Sequence, residues 1–79
     1  MTIKNSTIGR RVKIGVKCKL NNVVIMDDVV VGNETILQNT VVSEGCVVGD
    51  NCNLNDCQVG PGAQVEAFTK VKGEAIVQN

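Results

Sequence analysis

Seventy-nine residues are enough for one small domain, and one Phe with no Trp or Tyr excludes an interior anchored on several aromatic rings. Eight basic and eight acidic side chains cancel, so there is no net positive field by which to read nucleic-acid or anionic-membrane binding. No apolar run nears the ~18 residues of a membrane span and no leader pattern opens the chain, so the expected address is the cytosol.

Along the chain, aliphatic residues recur in steps of five, six and six. From Ile3 the series runs to Ile8, Ile14 and Leu20, then Ile25, Val31 and Leu37, then Val42, Val48 and Leu54. It continues through Val59, Val65 and Val71 to Ile76 without a skipped position. A helix needs apolar residues every three or four positions and a lone strand needs every second one. A step of five or six fits neither. It predicts a two- or three-residue strand, a tight corner, and another strand. Three such units sum to a 17-residue coil, and coils stack by parallel strand pairing about 4.8 Å apart. The prediction is therefore an all-β fold, a single-stranded parallel β-helix of about 4.5 coils.

Alternation within each strand sends the phased aliphatics inward, together with the residues two places before them. Those are Val12, Val29, Cys46 and Ala63 in one file, Cys18, Thr35, Cys52 and Thr69 in the next, and Ser6, Val23, Thr40 and Cys57 in the third. All are small or β-branched, as a narrow prism demands. Every cysteine falls in this set, so free buried thiols are expected, and neither a disulfide framework nor a zinc site. Glycines 9, 15, 32, 49 and 60 stand where the chain leaves a strand. Asn5, Asn22, Asn39, Asp56 and Gly73 share one corner position, and these residue types tolerate a left-handed backbone. The stacked Asn side chains are expected to hydrogen-bond as a ladder. Phe68 falls on a corner; it is read as covering the incomplete last coil together with Ile76-Val77, or as a contact residue.

The hexapeptide pattern resembles that of left-handed β-helices, and the resemblance supplies the handedness, which periodicity alone does not. The 5-6-6 coil with Asn-Ser, Asn-Val, Asn-Thr and Asp-Cys at the short corner resembles the C-terminal domains of sugar nucleotidyltransferase-like proteins. Within that group, Val24-Ile25-Met26-Asp27, Leu54 to Gly60, Val65-Glu66-Ala67 and Lys72-Gly73-Glu74 look most like the gamma subunit of eukaryotic translation initiation factor 2B. That resemblance implies a β-helix over residues 1–79 at the C-terminal end of a longer chain. It also implies a role in assembling a guanine nucleotide exchange complex, with an epsilon-type subunit as partner. The second reading is the C-terminal oligomerisation domain of a sugar-1-phosphate nucleotidyltransferase.

Hexapeptide β-helices that catalyse use a His as general base or as a zinc ligand, and this chain has no His. Phosphate-cradling loops, a GxSxG elbow and CxxC pairs are missing as well. No catalytic, cofactor or metal residue is nominated, and no enzyme activity is expected. Asp27-Asp28 is read as a solvated corner. Candidate contacts are outward aliphatics: Val24, Met26 and Val41 on one face, and Val30 and Val47 on the next. The third face is polar apart from Ile36. The expected partner is another subunit or a second copy, with neither nucleic acid nor membrane.

Overall fold

A computed structural model describes residues 2–77. Among them are fourteen strands of two or three residues, and each contains one of the fourteen phased aliphatics. Face A stacks β1 (Thr2–Lys4), β4 (Lys19–Asn21), β7 (Ile36–Gln38), β10 (Asn53–Asn55) and β13 (Lys70–Lys72). Face B stacks β2 (Thr7–Ile8), β5 (Val24–Ile25), β8 (Val41–Val42), β11 (Gln58–Val59) and β14 (Ala75–Ile76). Face C stacks β3 (Lys13–Ile14), β6 (Val30–Val31), β9 (Val47–Val48) and β12 (Gln64–Val65). All pairings are parallel, and Ile25, Val42 and Val59 lie in direct register. The chain is a left-handed parallel β-helix of four full coils and part of a fifth. Right-handed crossovers follow from strand twist, which strands this short scarcely accumulate.

The two middle coils are dry inside. Leu20, Ile25, Val31, Leu37, Val42, Val48, Leu54 and Val59 are buried, with Val23, Val29 and the four cysteines between them. The end coils keep the phase but lose part of the burial. Ile3 and Ile8 remain 42% and 37% exposed, because the first coil has a neighbour on one side only. The cysteines are free, as expected, and each thiol donates to a backbone carbonyl. In one file Cys18 Sγ reaches Gly32 O (3.1 Å), Thr35 Oγ1 reaches Gly49 O (2.9 Å) and Cys52 Sγ reaches Glu66 O (3.1 Å). Cys and Thr alternate here because both are small donors able to satisfy a carbonyl fourteen residues on.

Backbone direction explains the corners. Strand amides donate to the following coil, as in Thr7 N–H to Val23 O (2.9 Å) and Val24 N–H to Thr40 O (3.0 Å). Corner amides donate to the preceding one, as in Asn22 N–H to Lys4 O (3.1 Å) and Glu34 N–H to Val16 O (2.8 Å). Reversing the N–H within a tight turn puts one residue at positive φ. Among the described residues there are thirteen, one per corner, and ten of them are not glycine. Asn5, Asn22, Asn39, Asp56 and Gly73 are among them, as their residue types predicted. Arg11, Lys17, Glu34 and Phe68 are too, although such residues adopt this conformation at a cost of about 1–2 kcal/mol.

Two expectations need correcting, the ladder and the cap, and the glycines that leave the strands gain a physical reason. The side-chain ladder does not run through the short-corner asparagines, whose contribution is their backbone. It runs through the other corners: Asp27 Oδ1 accepts from Arg10 N–H (2.7 Å), Asn33 Oδ1 from Val16 N–H (2.9 Å) and Asp50 Oδ1 from Asn33 N–H (2.7 Å). Glycines 9, 15 and 32 are small because that ladder leaves no room, and none has positive φ. A methyl at Gly32 would overlap Asp50 Oδ1 and sit 2.6 Å from Asp50 N. Lastly, Phe68 does not cover the last coil: it is 72% exposed at the corner between faces C and A, where it lines a groove with Glu34, Asn51 and Lys70, whereas Val77 follows β14 at the corner between B and C.

Gly32→Ala is expected to lose about 2 kcal/mol or more in urea unfolding, since the clash includes backbone. Adding Asp50→Ala should not restore it. Gly73→Ala, where φ is +67° but no atom lies within 4 Å of the new methyl, should cost only about 1 kcal/mol. Thr35→Val is expected to cost about 1–2 kcal/mol by orphaning the Gly49 carbonyl, while Thr35→Cys, which keeps a donor, should cost clearly less by the same measurement.

Candidate functional site

The outer surface is set by strand register. Face A shows Lys19, Asn21, Gln38, Asn53, Asn55, Lys70 and Lys72, with Ile36 half-buried, and is polar as expected. The outward file of face B reads Thr7, Val24, Val41, Gln58 and Ala75. That of face C reads Lys13, Val30, Val47 and Gln64. Val24, Val30 and Val47 are 40–42% exposed, and Val41 is half-buried. Met26, 43% exposed, stands just past β5 at the corner that joins B to C.

The five nominated residues therefore do not form one flat patch. The prism edge between the faces separates Val24, Met26 and Val41 from Val30 and Val47. That edge carries Asp27 and Asp28, and a flat partner covers one face or the other. Face B is the richer. Beside Val41 it holds an open groove of about 300 Å³, lined also by Ser43, Gln58, Gly60, Ala75 and Val77.

At the corner between faces B and C the stack takes up three charged side chains, Arg11, Asp27 and Asp28. Asp27 caps the Arg10 amide, and Asp28 pairs with Arg11 through Nε to Oδ1 and Nη2 to Oδ2 (3.1 Å). Arg11 and Asp28 occupy equivalent positive-φ corners one coil apart, so their side chains leave the prism side by side. The hydrogen bond from Arg11 holds the Asp28 carboxyl below the usual carboxylate range, and Asp28 raises the Arg11 guanidinium in return. The adjacent-acid motif is thus used up in stacking coils.

Charge is distributed along the axis in a way the neutral sum hides. Residues 2–26 hold six cations (Lys4, Arg10, Arg11, Lys13, Lys17 and Lys19) and no acid. Residues 27–69 hold seven acids and no cation. One end of the prism is basic and its middle is acidic. Counting charge in sequence windows finds this; summing it over the chain does not.

No cluster of three or more His, Cys, Asp or Glu side chains suited to a metal occurs among the described residues. The four thiols are sealed inside the prism. Scaffold, edge charges and apolar rows are what the surface offers.

Compared with known families, the chain matches the model of the GMPPB C-terminal domain over residues 2–79. It belongs to the GMPPB C-terminal domain family. No curated protein matches it. Membership agrees with the left-handed β-helix and with the sequence resemblance at its coarser level, a C-terminal domain of nucleotidyltransferase type. Of the two functional readings drawn from the sequence, the match favours the nucleotidyltransferase over the initiation-factor subunit. For this GMPPB C-terminal domain, the useful geometry is face B and the charged rims beside it.

In NMR titration the Asp28 carboxyl is expected to have a midpoint below its unfolded value of about 3.9, and Arg11→Ala should return it upward. The sign follows from the lowered value. The pair supports the fold above the unfolded pKa and stops doing so as pH falls through the folded one. Both side chains are more than half exposed, so the accompanying change in stability is small.

Proposed function

We propose that this domain is a non-catalytic assembly module of a sugar-1-phosphate nucleotidyltransferase, holding chains together in the cytosol through face B. The observation that carries the reading is the stacked pair Val24 and Val41, flanked by Met26, on a face with no charged side chain in its outward file. A lone monomer has no use for aliphatics stacked on consecutive coils when face A shows how polar such a surface can be. The family match supports the nucleotidyltransferase context. The absence of His and the use of Asp27, Asp28, Asn33 and Asp50 within the corners support a scaffold with no reaction of its own.

The finer resemblance, to the gamma subunit of initiation factor 2B, rests on Val24 to Asp27 and Leu54 to Gly60 and leads to a different contact. There the principal partner is an epsilon-type subunit.

Sedimentation equilibrium separates the two. The chain is expected to self-associate with a dissociation constant on the order of micromolar, as small apolar interfaces do. Val24→Lys with Val41→Lys should weaken association at least about tenfold, because two lysines at the centre lose the apolar contact. The urea midpoint should hold nearly constant, since Val24 is exposed and lysine stems can lie along the face. A chain that stays monomeric while binding an epsilon-type subunit would replace this reading with the other.

A further inference from the structure

We propose that the corner between faces C and A holds a slot for an arginine side chain of a partner protein, with Phe68 as one wall and Glu34 as the other. The slot is independent of the self-contact, since this corner joins the two faces other than B. The chain's one aromatic is poorly placed for folding. Phe68 is 72% exposed and held at φ 64°, so it adds nothing to the core and occupies a backbone that bulky side chains adopt at a steric cost. Its equivalents one, two and three coils earlier are Asn51, Glu34 and Lys17, all polar. A ring kept there against both preferences marks a contact residue.

The surroundings define what the ring would meet. Phe68 and Glu34 share one column of left-handed corners, two coils and about 10 Å apart, with Asn51 between them at φ 56°. The three line one open groove of about 360 Å³ with Lys70 and with Ile36, the one aliphatic in the outward files of face A. Asn51 is short and half-buried, so it forms a floor between two longer walls. A planar guanidinium fits that gap: it lies within about 6 Å of a ring centroid when stacked and about 2.8 Å from a carboxylate oxygen when paired. Its aliphatic stem has Ile36 to lie along. The field has the matching sign. Positions 32–34, 49–51 and 66–68 of this edge carry Glu34, Asp50 and Glu66 and no cation. Lys70, across the groove on face A, is the cation that lines it, and it opposes the ligand. Arginine is favoured over lysine because a flat, delocalised cation stacks on the ring while its N–H fork meets the carboxylate.

The probe is the blocked tripeptide acetyl-Gly-Arg-Gly-amide, with the guanidinium as its single charge, titrated at low salt into the nitrogen-15 chain. The amides of Glu34, Asn51 and Phe68 should shift together with a dissociation constant on the order of millimolar. The arginine side-chain protons should move upfield in the ring current of Phe68. A citrulline peptide, of the same shape but uncharged, should not bind, and a lysine peptide should bind at least about threefold more weakly. Glu34→Gln should weaken binding about threefold and Lys70→Gln should tighten it about twofold, opposite signs that a merely apolar groove does not give. Phe68→Asn should weaken binding at least about fivefold. Its urea midpoint should hold or rise, because Asn51 already occupies the equivalent corner. Phe68→Leu, which keeps apolar bulk on the same backbone, should weaken binding as well. Shifts spread equally over Asp27, Asp56 and Glu66 and indifferent to Phe68→Asn would mean attraction to acidic edges alone, and would overturn the slot. So would the lack of any saturable shift at Phe68. Neither result touches the face B contact, which Phe68→Asn should leave unchanged in sedimentation equilibrium.

Discussion

Backbone hydrogen bonds between coils are the constraint from which the rest of this molecule follows. Strand amides point toward the next coil and corner amides toward the previous one, so each interior coil is bonded in both directions at its faces and corners. This works only if equivalent residues lie directly over one another, which holds every coil to one length, here 17 residues. It also works only if each corner reverses its N–H, which fixes one left-handed residue there. Side chains are then chosen within those limits. Gly32 is small because Asp50 approaches from the next coil, and Asp50 is there because the Asn33 amide needs an acceptor. Removing either member of such a pair strains the stack more than it frees a side chain.

The fold was legible because its core is a period. All fourteen phased aliphatics fall within the fourteen strands, and the small files between them are buried wherever coils lie on both sides. Asn and Asp at the short corner announced positive φ. Arg11, Lys17, Glu34 and Phe68 did not, since nothing in those residue types favours the left-handed region; only the position in the period identifies them. The ladder was expected where Asn recurs most regularly, at the short corner. It forms where Asp27, Asn33 and Asp50 can reach the amide of the residue one coil earlier, and that depends on the direction of each side chain. Placing Phe68 over the last coil failed for a related reason: a corner residue at positive φ points away from the prism.

The candidate surface was legible in part. Val24, Met26, Val30, Val41 and Val47 were identified as outward residues, and they are at least partly exposed. Their division into two bands was not, because the angle between faces is a property of the closed prism. The acidic edge of Asp27 and Asp28 runs between the bands, so the five residues belong to two surfaces.

A strictly repetitive stack has an axis but little to distinguish one end from the other, which makes it a poor means of specifying how two copies meet. Any register that places valine on valine buries nearly the same apolar area. What breaks this degeneracy is the variation at repeat positions that the fold leaves free. Position 10 of the first coil and its successors read Arg10, Asp27, Glu44 and Pro61, and the outward file of face C reads Lys13, Val30, Val47 and Gln64. The inward residues at the same levels hardly change in character. Charges at such rims contribute little to affinity and much to the choice between arrangements, because a wrong pairing sets like charges against each other while a right one leaves them solvated or paired. Interior positions thus serve stacking, and the side chains left outside are free to encode direction.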